Sequence, residues 1–160
     1  MPSPYIARPL SSGQIAQAFP LLAVLDPELT LERWSDYAAA FVEPPDDAEP
    51  RRIMTVQNAQ GYIHGLASCR RRCDLRYGCV LEVENFVSLD LTGNKVAANA
   101  LLKVIEALAR EWGCQHISLS LLDPRMRRHL RTPHRQATSL FDLAGYHEEP
   151  FRLGKELLRH

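Results

Sequence analysis

With 160 residues and 46% hydrophobic content, the chain has the size and the apolar material of a single domain spanning residues 1–160 around one packed core. Lysine plus arginine equals aspartate plus glutamate at 19 each, so no overall field draws the protein to nucleic acid or to an anionic membrane, and any partner must be recognised locally. No apolar run approaches the ~20 residues of a bilayer span, and the first residues lack the basic start and apolar block of a secretory signal, so a cytoplasmic location is expected.

Tyr5 to Leu10 reads as a short edge strand, because Pro9 cannot donate to a ladder. Ser11 or Ser12 then caps a helix with Ile15, Ala18, Phe19 and Leu22 at spacings of three and four, which Pro20 is expected to kink or end early. A second helix follows Asp26-Pro27, with Thr30 as its cap and Leu31, Trp34, Tyr37, Ala38 and Phe41 as one apolar stripe. Residues 43–51, rich in proline and acids, form an exposed connection rather than a domain boundary.

Ile53 to Val56 and Tyr62 to Cys69 make two strands joined by a hairpin over residues 57–61. Arg70-Arg71-Arg72 and the loop from Asp74 to Gly78 lead into a third strand, Val80 to Leu89. From Ala97 the period changes: Leu101, Val104, Ile105, Leu108 and Trp112 follow helical spacing, and Gly113 sits where a C-cap glycine belongs. This helix feeds a strand over residues 114–122, giving a strand, helix, strand unit with a right-handed crossover expected. Residues 123–137 form a basic loop carrying Arg125, Arg127, Arg128, Arg131 and Arg135, read first as a solvated loop and second as a contact for phosphate or an anionic acceptor. No aromatic residues interleave with those arginines, which speaks against nucleic-acid binding. A short helix, Thr138 to Ala144, ends at Gly145, and Tyr146 to Leu157 returns as a final strand.

Cys69, Cys73, Cys79 and Cys114 lack the paired C-x-x-C spacing of a zinc ribbon. Three fall on or beside expected strands, so reduced cysteines filling core or sheet positions are the expectation, ahead of a metal site or a redox thiol.

A strand running directly into a helix N-terminus places backbone N–H groups beside the positive end of a helix dipole, a natural diphosphate site. Val80 to Asp90 followed by the long helix, Ala100-Leu101-Leu102 and Ala109 to Cys114 within and after that helix, and Ala137 to Tyr146 with its closing Gly-Tyr pair together resemble the GNAT superfamily of acyltransferases. The resemblance covers residues 80–157 well and the first 50 through element order alone. It implies an α/β fold with a central mixed, largely antiparallel twisted sheet of six to seven strands flanked by about four helices. It also implies acetyl-coenzyme A as co-substrate, a small-molecule or peptide amine as acceptor and a possible homodimer, while the balanced charge and the lack of a long apolar run lead to no membrane partner being expected.

The family's diphosphate cradle is spaced R-x-x-G-x-G/A, which falls here on Gly93, Val96 and Ala98, with Asn94, Lys95 and Ala97 between them. Gly93 replaces the Arg or Gln and Val96 the first glycine; Ala98 fits, and Lys95 is placed to supply the missing positive charge. The resemblance further implies Glu82 or Glu84 as general base, a backbone N–H near Phe86 or Val87 as oxyanion donor, and His134 beside the pantetheine arm. Glu82 and Glu84 lie two apart on one strand and so share a face; the alternative reading pairs them with Arg70 to Arg72 in salt bridges. The family's usual tyrosine acid is Phe141 here, leaving Tyr146 or Tyr77 as substitutes. His64 could face the acceptor or be held structurally. Two functions follow: an N-acetyltransferase moving acetyl to a primary amine by direct attack, or a catalytically reduced GNAT-like domain serving as a ligand sensor or interaction module, the latter motivated by Gly93, Val96 and Phe141.

Overall fold

The computed structural model describes residues 3–90, 93–121, 140–147 and 154–157. Within them the chain runs β1 (Ile6–Pro9), a 3-10 turn (Ser12–Gln14), α1 (Ile15–Ala23), α2 (Leu31–Val42), β2 (Arg51–Gln57), β3 (Ile63–Asp74), β4 (Gly78–Ser88), α3 (Val96–Glu111), β5 (His116–Leu119) and α4 (Leu140–Leu143). The sheet has the order β1-β2-β3-β4-β5, antiparallel throughout except for the parallel pair β4 and β5. The described residues thus hold five strands rather than six to seven. Tyr146, His147 and residues 154–157 are not strand, and the remainder of the expected final strand lies outside the described residues, as do His134 and the arginine loop.

Helices cover both faces of the sheet. On one, Ala97, Leu101, Ile105 and Leu108 of α3 pack on Met54, Val56, Leu81, Val83 and Phe86, with Leu140 and Phe141 of α4 joining them. On the other, Ala18, Leu21, Leu22, Trp34, Ala38 and Phe41 pack on Ile53, Ile63, Leu66 and Val87. Gly65 marks a close approach: a Cβ there would lie 3.1 Å from Val56 Cγ2 and 3.3 Å from the Val87 carbonyl.

α1 runs through Pro20 to Ala23 instead of ending at it. Proline removes one N–H near the end of a short helix, and burial of Leu21 and Leu22 beyond it outweighs that loss. α2 begins where Thr30 accepts a hydrogen bond from the Arg33 N–H at 3.1 Å. Its stripe holds at Trp34, Ala38 and Phe41, while Leu31 is left exposed. Thr30→Ala is expected to destabilise the fold by about 1 kcal/mol, read as a lower urea midpoint with an unchanged slope.

β3 is longer than its apolar run, because Arg70, Arg71 and Arg72 continue the ladder against Glu82, Leu81 and Val80. The turn after it is closed by Asp74, whose Oδ1 accepts from the Arg76 and Tyr77 N–H groups. Those bonds hold its carboxyl below the usual range. α3 is terminated past its Glu111 end by Gly113, whose φ of 70° lets Cys114 N–H reach the Ala109 carbonyl at 2.8 Å.

Candidate functional site

The site is organised by an irregularity in β4. Ser68 pairs with Glu84 and Leu66 with Val87, so one extra residue is accommodated in β4 between them. Asn85 sits there in the left-handed region at φ 56°, which asparagine tolerates better than most side chains. The bulge turns Asn85 to the same face as Glu84: its Nδ2 donates to Tyr37 Oη of α2 at 3.0 Å and lies 3.4 Å from Ser68 Oγ. Phe86 is thereby moved to the α3 core and Val87 to the α1–α2 core. The ladder between β4 and β5 pairs Val80 to Val83 with His116 to Leu119, and Ser120 N–H to the Val83 carbonyl is its last rung at 2.9 Å. Among the described residues β4 therefore continues past Val83 without β5 alongside, at the bulge.

Glu82 and Glu84 do share a face, as their spacing requires. The side chain of Glu82 is 9% exposed, with Oε2 2.7 Å from Arg72 Nε and Oε1 3.7 Å from Arg70 Nε. Glu84 is 29% exposed and meets Arg70 Nη2 at 3.9 Å. Arg70 in turn lies over the Phe41 ring, 5.6 Å from its centroid. A carboxylate as enclosed as Glu82 costs several kcal/mol to desolvate, which close guanidinium partners offset. Both its oxygens face arginines, so Glu82 matches the salt-bridged reading; Glu84 is the more exposed of the two and is also paired with Arg70.

Tyr37 completes this cluster, and sequence periodicity had assigned it only to an apolar stripe. Burial raises its hydroxyl above the usual tyrosine value, with neighbouring Glu84 adding to the rise. A half-open hollow of about 160 Å³ adjoins it, lined by Leu22, Leu29, Arg33, Trp34, Tyr37 and Asn85.

The other candidates lie elsewhere. Tyr146 packs edge-on to Phe141 at 6.2 Å, on the α3 side of the sheet, and burial pushes its hydroxyl up to about 12. It does not join Glu82 and Glu84 on the opposite face. Phe141 packs edge-on to Phe86 at 5.5 Å. Tyr77, within the β3–β4 turn, stacks on His116 at 3.8 Å, at the end of β4 away from the bulge. His64 is held between Tyr5 Oη and Asn58 Nδ2, each 3.4 Å away, which is the structural reading. Among the described residues no group of three or more His, Cys, Asp or Glu side chains could hold a metal ion.

The N-terminus of α3 departs from expectation. Lys95, at φ 59°, precedes the helix, and the first helical N–H groups are not available to a ligand. Val96 N–H donates to Asn94 Oδ1 at 3.2 Å, Ala97 N–H to Asp90 Oδ2 at 2.7 Å and Ala98 N–H to Asp90 Oδ1 at 3.2 Å. Ser88 Oγ holds Asp90 Oδ1 at 2.5 Å. Ala97 and Ala98 are fully buried. An aspartate of the chain thus occupies the N–H groups at which the resemblance leads one to expect a diphosphate. Two anions cannot share those donors, so with Asp90 in this position the residues do not fit the group. Sequence reasoning missed Asp90 because its seven-residue reach back across the turn matches no capping spacing.

No family model matches this sequence, and no curated protein matches it. The fold is nevertheless shared with solved acetyltransferases. An aminoglycoside N-acetyltransferase in complex with coenzyme A is 13% identical, with a TM-score of 0.74 over 98% of this chain and 97% of the other. An aminoglycoside 6'-N-acetyltransferase of Acinetobacter baumannii is 14% identical, with a TM-score of 0.71 over 97% and 99%. Glucosamine-6-phosphate N-acetyltransferase of Arabidopsis thaliana is 14% identical, with a TM-score of 0.67 over 95% and 97%. The chain has the GNAT acyltransferase fold.

Proposed function

We propose that this domain is a GNAT-type N-acyltransferase that acts on a primary amine held in the hollow between α1, α2 and the β4 bulge, with acetyl as the simplest acyl group. The observation that carries this reading is the bulge at Asn85. It sets Asn85 and Tyr37 together on the wall of the hollow, with Glu84 next to Asn85 on the same sheet face, where β4 runs past its last β5 partner among the described residues. Acyl transfer to an amine requires the nucleophile to lose a proton. Glu84 is the acceptor for it, while Tyr37 keeps its own proton at neutral pH and orients through Asn85. Phe86 and Val87 supply the backbone beside which the acyl carbonyl would lie. Glu82 holds Arg70 and Arg72 in place behind Glu84. No part of donor binding is assigned to the N-terminus of α3.

Thiol release from acetyl-coenzyme A with a panel of amines tests this reading. Glu84→Gln is expected to lower kcat/KM by about 10²–10⁴-fold without changing the fold. Glu82→Gln is expected to act chiefly on stability. Unchanged turnover in Glu84→Gln would remove Glu84 from the chemistry.

The Asp90 contacts favour a second reading: a GNAT-fold domain with reduced catalysis that has kept its acceptor side and serves as a ligand sensor or interaction module. Absence of thiol release from the wild type with every amine tried selects it, and release regained in Asp90→Asn would show that the acceptor side is kept.

A further inference from the structure

A second reactive arrangement lies at the other end of β4, away from the bulge. The alternation that turns Arg70 and Arg72 toward the glutamates turns Arg71 to the α3 face, where its Nε donates to Cys79 Sγ at 3.1 Å. Cys79 Sγ in turn lies 2.9 Å from Cys114 Sγ. The two cysteines are brought together by the parallel pairing of β4 with β5: Val80 faces His116, and Gln115 N–H donates to the Cys79 carbonyl at 3.3 Å. Both thiols belong to one edge of the α3 core, Cys114 buried and Cys79 partly exposed.

Their environments differ in the sense a dithiol needs. The hydrogen bond from Cys114, then that from Arg71, lowers the Cys79 thiol from its ordinary value, against the smaller opposing influences of burial and then Glu49. Burial, together with the Cys79 contact, pushes Cys114 up to about 11. Cys79 is thus the nucleophile and Cys114 the resolving thiol. The remaining cysteines serve as contrasts. Cys69 is buried in the core and its thiol is pushed up to about 12 by that burial. Cys73 is exposed and pairs with Cys79 across the β3–β4 ladder.

We propose that Cys79 and Cys114 form a reactive dithiol site that is oxidised by small-molecule disulfides and stores the two electrons' difference as a bond between β4 and the start of β5. In the first step the Cys79 thiolate attacks one sulfur of the disulfide, forming a mixed disulfide and releasing one thiolate. In the second, Cys114 gives its proton to solvent and attacks the Cys79 sulfur, releasing the second thiol. The disulfide is reduced to two thiols and the protein loses two electrons. The Sγ–Sγ separation is within about an ångström of a ~2.05 Å disulfide bond, so closure calls for side-chain rotation rather than strand movement.

The test treats the full chain with oxidised glutathione, follows free thiols, and maps linked peptides by mass spectrometry under non-reducing conditions. The expected product is a peptide pair joining Cys79 to Cys114, with Cys69 and Cys73 retained as thiols. Cys114→Ser should stop at glutathione on Cys79, and Cys79→Ser should leave Cys114 unmodified. Arg71→Gln, at an exposed position, should slow the reaction of Cys79 about tenfold, and Arg71→Lys should restore much of the rate. A wild-type product that stays at the mixed disulfide, a Cys73–Cys79 link, or modification of Cys73 ahead of Cys79 would each overturn the assignment.

Discussion

Asp90→Ala is expected to convert the N-terminus of α3 from a closed cap into an anion site. The wild type should show no rise in Tm with millimolar inorganic pyrophosphate, because Asp90 already holds the Ala97 and Ala98 N–H groups. The alanine variant should lose about 1 kcal/mol, the ordinary cost of removing a capping carboxylate. It should regain at least that with pyrophosphate, since a ligand at 100 times its Kd contributes about 2.7 kcal/mol. Asp90→Asn keeps the shape and one acceptor oxygen but removes the charge, and it should bind coenzyme A at least tenfold more tightly than the wild type by calorimetry. Pantetheine, which has no phosphate, should bind both proteins alike. Tight wild-type binding of coenzyme A that depends on its diphosphate would show that Asp90 yields readily and that the cap is no obstacle. The outcome also separates the two functional readings, because thiol release that appears only in Asp90→Asn would mark a competent acceptor side behind a closed coenzyme site.

Trp34→Ala should be the most destabilising single change on the α1–α2 face. Trp34 is 2% exposed, its Nε1 donates to the Ile15 carbonyl at 2.7 Å, and its ring stacks on Tyr37 with centroids 6.1 Å apart. Truncation removes a large buried ring and leaves the Ile15 carbonyl without that partner. The expected cost is about 3–5 kcal/mol, or a fall in Tm of roughly 10 °C or more for a domain of this size. Because the same ring supports Tyr37 and lines the hollow, amine-dependent turnover should fall further than the loss of folded protein explains. Trp34→Phe, which keeps most of the packing and loses the donor, should cost about 1–3 kcal/mol. A Trp34→Ala variant within 1 kcal/mol of wild type would mean that α2 does not hold the site together.

The sites differ in how far they could be read from residue order. Glu82 and Glu84 were recognisable as neighbours on one face because strand geometry fixes that at a spacing of two. Their division into a paired and an accessible carboxylate was not, since it depends on Arg70 and Arg72 arriving from β3. Asn85 looked like one more residue of an alternating strand. Only the mismatch between Leu66 to Ser68 and Glu84 to Val87 creates the bulge that turns it toward Tyr37. The loss of glycine at Val96 and of a basic residue at Gly93 was visible, but not its counterpart, Asp90, which caps from seven residues upstream across a turn. Cys79 and Cys114 are 35 positions apart, and no spacing rule joins them.

By itself the sequence determined the elements and their order: the helical period from Ala97 to Trp112 ended by Gly113, the Thr30 cap, the strand runs, and through them the GNAT fold. Those features are local, set by propensity, capping and which residues must be buried. Tertiary structure alone decided which groups meet: Glu84 with Tyr37, Asp90 with the start of α3, and Cys79 with Cys114. Each meeting depends on strand register or on a turn's path, and register is settled only when two faces of one sheet are packed at once.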